Sequence, residues 1–377
     1  FFRQTPMGHL YRHYLFACTT LFLLVIMPSE ALSQPASAAI EKIESIISKD
    51  EGGRGMESLV VRGDLRRAAE LLARLKPLRA SSAGPAHILI LSGFPCCVNE
   101  SPPTETDGPP GSFAIARAVV GLGHKATIVT DECNHEVFRA AKKDVGVWAE
   151  GSLELEIFPS EDRMDSSDYE KMSHLVNVAD LIVACERAGP AEDGHCYTMR
   201  GIDMNSKGLI APLHKIVEMG RKEKIDGKVD SSVRFVAIGD GGNEMGMGKV
   251  LDTIRTNPKI KNGSKIAAVT PADYLIAASV SNWGGYALAA SAAVVRADDT
   301  FRSQDSSVCY KEMLKRWIEA CVPQKEDEIS LLNRCVQAGC RDGVSGKLEA
   351  TVDGMPLEKS LECLQHIRVA ALDGNNA

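Results

Sequence analysis

Short runs of almost unbroken apolar residues, separated by segments with helical spacing, recur along the chain and restrict its fold. His87–Ser92 (HILILS), Lys125–Thr130 (KATIVT), Leu153–Phe158, Leu181–Cys185, Arg234–Ile238 and Lys265–Val269 each read as a strand. A strand covered on both faces has no alternation of apolar and polar residues, so such runs belong to a parallel sheet buried between helices. The intervening segments fit. Ala38–Ser48 sets Ile40, Ile43, Ile46 and Ile47 at helical spacing. Asp64–Leu75 does the same with Leu65, Leu71, Leu72 and Leu75, and a third helix runs from about Ser112 to Leu122, stopped by Gly123. The stretch from His87 to Thr130 is then a strand-helix-strand unit, whose crossover is right-handed. The sequence therefore predicts an α/β fold: a mainly parallel sheet flanked by helices in three layers, Rossmann-like. A helical C-terminal tail over Tyr310–Ala371 packs through Trp317, Leu331 and Leu364.

The charge balance narrows the partners. A net charge of −7, with Lys and Arg interleaved among the acids, offers no basic surface for a nucleic acid. The eleven cysteines show no CxxC spacing and read as reduced, buried small residues. Near the N-terminus, Leu15–Met27 is apolar except for Thr19 and Thr20, which is too short for a stable membrane span. Arg3 and Arg12 precede it, Glu30 is the first acid, and Ala36-Ser37-Ala38 offers a small-residue cleavage pattern. Residues 1–38 thus read as a removable targeting segment, secretory or organellar, and 39–372 as a single catalytic domain. A homo-oligomer stays open.

In open α/β sheets, ligands gather beyond the carboxyl ends of the strands. Here those ends carry acids: Glu105 and Asp107 after the first strand, Asp131 after the second, Glu186 after Leu181–Cys185, Asp240 and Glu244 after Arg234–Ile238. Carboxylates brought to one place repel unless a cation lies between them. An all-oxygen donor set of this kind suits Mg²⁺ or Mn²⁺. The plainer alternative is that each acid caps a helix or faces water. Gly239–Lys249 holds five glycines in eleven residues, so the amides of Gly241 and Gly242 can approach a ligand closely. It is no P-loop, because Asn243 and Val250 stand where Gly and Ser/Thr are needed, and Glu244 spoils a GxGxxG frame. Gly108-Pro109-Pro110-Gly111 opens a helix whose first turn can receive an anion. Arg187 and Arg200 offer a two-point grip on a carboxylate, or else structural ion pairs. Trp283 and Tyr286, beside Gly284-Gly285, read as a pocket wall or as packing at a helix start.

The runs GFPCCVNESPPTETDGPPG, ERAGPAEDGHCYTMRGIDM, IGDGGNEMGMGKV and SVSNWGGYAL resemble the D-glutamate cyclase family over about Ile40 to Ala371. Within it, the likeness is to the C-terminal catalytic domain of the mitochondrial enzymes and to stand-alone prokaryotic relatives. The resemblance implies a lyase that closes D-glutamate, a small amino-acid substrate, into 5-oxo-D-proline with loss of water. It further implies a divalent metal, Mn²⁺ by preference, and a mitochondrial matrix location. On this reading Glu105, Asp107, Asp240 and Glu244 surround the metal, with Asp131 as an additional ligand. Glu186 carries the proton, Arg187 and Arg200 grip the α-carboxylate, and Asn243 with the Gly241 and Gly242 amides supports the oxyanion. Two alternatives compete: a metal-dependent phosphatase, and a non-catalytic metal- or nucleotide-binding protein.

Overall fold

The structure, a computed structural model, describes residues 31–78, 84–143, 151–222, 233–303 and 308–373. Six strands, β1 His87–Gly93, β2 Lys125–Asp131, β3 Leu153–Phe158, β4 Leu181–Arg187, β5 Arg234–Gly239 and β6 Tyr274–Ala277, form one parallel sheet. Their order is β3-β2-β1-β4-β5-β6. All seven residues of β4, at the sheet centre, are buried, whereas β3 at one edge is only partly covered. The pleat divides the core. Ile88 and Ile90 face one apolar cluster, Leu89 and Leu91 the other.

The first face is covered by α1 Gln34–Ile47, α2 Asp64–Ala73, α3 Pro109–Gly121 and α4 His135–Lys142. On the opposite face lie α5 Ser166–Val178, α6 His214–Lys222, α7 Leu251–Thr256 and the short α8 Gly263–Ile266. The long α9 Ser281–Ser303 returns to the first face, where α10 Tyr310–Cys321, α11 Lys325–Gln337 and α12 Leu357–Leu372 pack around it. A small hairpin, β7 Thr351–Val352 and β8 Met355–Pro356, precedes α12. The three-layer arrangement and the helical tail are those expected. No helix among the described residues is long and apolar enough to cross a membrane.

One strand is displaced from its expected place. Lys265–Val269 is not in the sheet: Gly263–Ile266 makes a helical turn, and the next amides bond to loop carbonyls instead. Ala268 N–H donates to Gly242 O (3.0 Å) and Val269 N–H to Pro190 O (2.9 Å). The small apolar residues read as a strand because they are buried, but they are buried under the glycine loop. The sixth strand is Tyr274–Ala277. The first helix begins earlier than its apolar pattern, because Ser33 caps it (Ala36 N to Ser33 Oγ, 3.4 Å) and Pro35 suits its first turn. Ala36–Ala38 lies within that helix; residues 1–30 of the expected targeting segment fall outside the described residues.

Two helix starts lock each other where the sheet order reverses. Asp107 accepts the Ser281 and Asn282 amides at 2.8 Å each, capping α9. In return Asn282 Oδ1 accepts from Gly108 N (2.9 Å) and Gly111 N (2.8 Å), capping α3. The helices touch backbone to backbone: a Cβ at Gly285 would stand 2.5 Å from the Gly111 carbonyl oxygen. Neighbouring β1 and β4 send their loops to opposite sides from this point, leaving a crevice between them.

Candidate active site

A cavity of about 410 Å³ fills that crevice, with Glu105, Glu186, Asp240, Glu244, Arg54 and Asp353 among its lining. Local backbone features hold each acid. Glu186 sits where the β1–β4 register slips, Ser92 pairing with Cys185 and Gly93 with Arg187. It has a left-handed φ of 44°, a conformation costly for a side-chain-bearing residue, and so it leaves the strand line at the cavity. Its Oε2 accepts from Ser281 Oγ at 2.5 Å. Glu244 turns back on its own loop and accepts the amides of Asp240 (3.0 Å), Gly241 (2.6 Å) and Gly242 (2.7 Å). Glu105 is packed so closely against Gly343 that a Cβ there would lie 1.9 Å from its carboxylate.

Two contributors come from outside the strand ends. Arg54 follows the glycine break after α1, and Asp50 fixes its loop by accepting the Arg54 (3.0 Å) and Gly55 (2.8 Å) amides. Its guanidinium donates to Asp240 (2.8 Å), Asp353 (2.7 Å) and the Ser279 carbonyl (3.1 Å). Asp353 is the first residue of an Asp-Gly turn between β7 and β8, with φ of 53° and 74° at Asp353 and Gly354. Both angles suit the tight hairpin turns that favour this pair.

Six carboxylates therefore meet one arginine. Burial pushes Glu105 and Glu186 well above the ordinary carboxylate range, and neighbouring acids push the same way. Asp240 is also raised by burial, although Arg54 pulls it down. Burial and Asp353 lift Asp107 to about 7 against the pull of the amides of Asn282 and Ser281. Such groups are short of positive charge and must bind either protons or a cation. Ligand oxygens of Glu186, Asp240 and Glu244 lie within 4.8 Å of one another, as do those of Asp107, Asp240 and Asp353. This all-oxygen set fits a hard divalent ion, and Asp240 belongs to both groups. Around the mouth stand exposed Arg200, Lys259 and Lys261, none ion-paired among the described residues. The cavity is thus bipolar, acidic below and cationic at the rim.

Residues 43–368 match the family described as D-glutamate cyclase-like, C-terminal. The chain belongs to the D-glutamate cyclase-like family. It is 31% identical over 347 residues to the human protein named D-glutamate cyclase, mitochondrial. That alignment covers 87% of this chain and 51% of the human protein, so the chain spans about half the length of that relative.

Within this cyclase-like chain, the structure brings Glu105, Asp107, Glu186, Asp240, Asn243 and Glu244 together, and sets Arg200 at the rim. Asn243 is buried, its Nδ2 donating to the Tyr197 carbonyl (2.7 Å). Other expected site residues lie elsewhere or are already engaged. Asp131 and Arg187, each 1% exposed, pair with each other below the crevice. Asp131 also accepts the Ala211 amide (2.7 Å), and Arg187 donates to the Ala211 carbonyl (2.8 Å), so neither lines the cavity. The Gly241 and Gly242 amides bond to Glu244, leaving no oxyanion donor there. The amides at the start of α3 are likewise taken by Asn282. Trp283 donates to Ser360 (3.0 Å) and Tyr286 to Glu328, both inside the helical layer. The SNWGGY run therefore serves capping and close helix packing. No sequence motif marks Arg54 as a site residue, and the Asp-Gly turn is the one local signal for Asp353.

Proposed function

We propose that the chain closes D-glutamate into 5-oxo-D-proline, releasing water. The observation that carries this reading is the bipolar cavity in a member of this family. Its cationic rim suits one carboxylate of a small dicarboxylic amino acid, and its acidic floor suits the ammonium and a cation that would meet the other carboxylate. The human relative's name supports the substrate, and it supports mitochondrial residence as part of the same proposal.

Ring closure joins the α-nitrogen to the carbon of the γ-carboxyl group and breaks one of that carbon's bonds to oxygen. The two protons lost by the ammonium depart with that oxygen as water. Glu186, whose affinity for protons is raised by burial, would take the first from the ammonium and return it to the leaving oxygen. Its strained backbone and the Ser281 hydroxyl fix the carboxyl at the floor. Arg200, with Lys259 and Lys261, would hold the α-carboxylate at the rim. Enclosing the flexible substrate in a cavity of this size favours the folded conformer that ring closure needs. Asp240 and Glu244, with Asp107 and Asp353 beside them, would hold a divalent cation, Mn²⁺ by preference. Such an ion supplies Lewis-acid polarisation of the γ-carboxyl.

The test is 5-oxoproline formation from each glutamate enantiomer, with chelator-treated protein and after restoring Mn²⁺ or Mg²⁺. The reading expects turnover of the D-enantiomer, lost on chelation and recovered with the ion. No lactam from either enantiomer under any condition would overturn it, and phosphate release from ester substrates would point to a phosphatase.

A further inference from the structure

The acids of the cavity fall into two groups that share one member. Ligand oxygens of Glu186, Asp240 and Glu244 gather in one, and those of Asp107, Asp240 and Asp353 in the other. A carboxylate common to two such groups can hold two divalent ions side by side, about 3.5–4 Å apart. The acids alone would therefore specify a two-ion site.

Arg54 changes that count. Its Nη2 donates to Asp240 Oδ2 (2.8 Å) and to Asp353 Oδ2 (2.7 Å), so a cation already lies between two members of the second group. The third member, Asp107, has both carboxylate oxygens engaged by amides. Oδ1 accepts from Asn282 (2.8 Å) and Gly108 (3.0 Å), and Oδ2 from Ser281 (2.8 Å). The first group is the freer one. Asp240 Oδ1 and Glu186 Oε1 accept no hydrogen bond among the described residues. Asp240 is thus divided, one oxygen on the arginine and the other open to an ion.

Arg54 is also built into its place. Besides the bonds to Asp50, its loop is tied to the segment before α9: Glu51 N–H donates to Ser279 Oγ (3.1 Å), Ser279 N–H to the Ile47 carbonyl (3.0 Å), and Arg54 Nη2 to the Ser279 carbonyl (3.1 Å). A guanidinium keeps its charge throughout the pH range of a folded protein and offers only donors. It offsets the acids as an ion would, but it coordinates nothing and does not activate water. Two-ion sites clamp both oxygens of a phosphoryl displacement. One ion beside a fixed guanidinium lacks that clamp, which weighs against the phosphatase alternative.

We propose that Arg54 stands in the place of a second divalent cation and so limits the chain to a single ion, held by Glu186, Asp240 and Glu244. The inference rests on the metal-assisted part of the proposed function, and adds which acids ligate the ion and which hold the arginine.

The test counts Mn²⁺ ions bound by the full chain after chelator treatment, by calorimetry and electron paramagnetic resonance. Wild type should take up one ion. Arg54→Met, which keeps bulk and removes charge, should take up two, with the resonance broadened by magnetic coupling across the shared Asp240. Arg54→Gln, whose amide still donates to the same acids, should also take up two and serves if Arg54→Met does not fold. Arg54→Lys keeps the charge and should stay at one. Asp353→Asn added to either uncharged variant should return the count to one. Circular dichroism confirms that each variant is folded. One ion in wild type and one in the folded uncharged variants overturns the role of Arg54 while the proposed function stands. Two ions in wild type overturn it as well, and no bound ion in wild type overturns both.

Discussion

Two arginine–carboxylate assemblies sit near the strand ends, and they differ in burial and in balance. Arg187 and Asp131 are matched one to one, closed off from solvent, and tied to the same residue, Ala211. Arg54 is shared by Asp240 and Asp353 and outnumbered by the acids around it, and this second assembly opens on the cavity. A matched pair, once buried, acts as a structural brace. An unmatched one keeps affinity for protons, cations and charged ligands. Imbalance, more than the presence of charge, distinguishes the chemical site from the brace beside it.

The largest expected effect lies on the unmatched side. Glu186→Gln should cut D-glutamate turnover by about 10²–10⁴-fold, the usual worth of a general acid–base, while thermal stability holds or rises. A loss of activity that merely tracks unfolding would erase the distinction. On the matched side, Asp131→Ala leaves Arg187 buried without its partner and should cost about 3–5 kcal/mol of stability. Denaturant titration measures this; a change within a few tenths of a kcal/mol would remove Asp131–Arg187 as a brace.

The pH dependence sharpens the contrast. Asp107 is raised by burial from 3.8 to about 7, so the folded chain binds more protons than the unfolded chain across that window. Stability of the chelator-treated protein should therefore fall as pH climbs through that range, and Glu328, also raised to about 7, adds the same sign. Saturating Mn²⁺ should flatten the fall; melting curves that rise with pH in the metal-free protein would contradict it. The smallest effect belongs to the rim. Lys259→Gln with Lys261→Gln should raise KM a few-fold at low salt, with little change in kcat. Added salt should shrink the difference between variant and wild type, since exposed charges are screened.

Much of this was legible beforehand, and unevenly. Covered strands announce themselves by unbroken apolar runs, and five of the six site carboxylates stand where strand ends place ligands. Asp131 and Arg187 carried the same signal, because strand-end position does not reveal whether an acid has a buried partner. Arg54 lay hidden in a glycine-rich break after a helix, and Asp353 in a hairpin turn near the C-terminus. Nothing local says where such loops dock. The glycine spacing suggests a loop open to a ligand, yet its amides close on Glu244, four residues after Asp240. Its flexibility serves an internal hydrogen-bond ring.

The central claim is that a cavity with more buried negative than positive charge is completed by a divalent cation. Mn²⁺ binding by the chelator-treated protein, followed by calorimetry and by electron paramagnetic resonance, tests it without reference to turnover. The account predicts one saturable site in the wild type, weakened at least tenfold by Asp240→Asn and little changed by Asp131→Asn. Equal binding by wild type and Asp240→Asn, or no saturable binding at all, would contradict it.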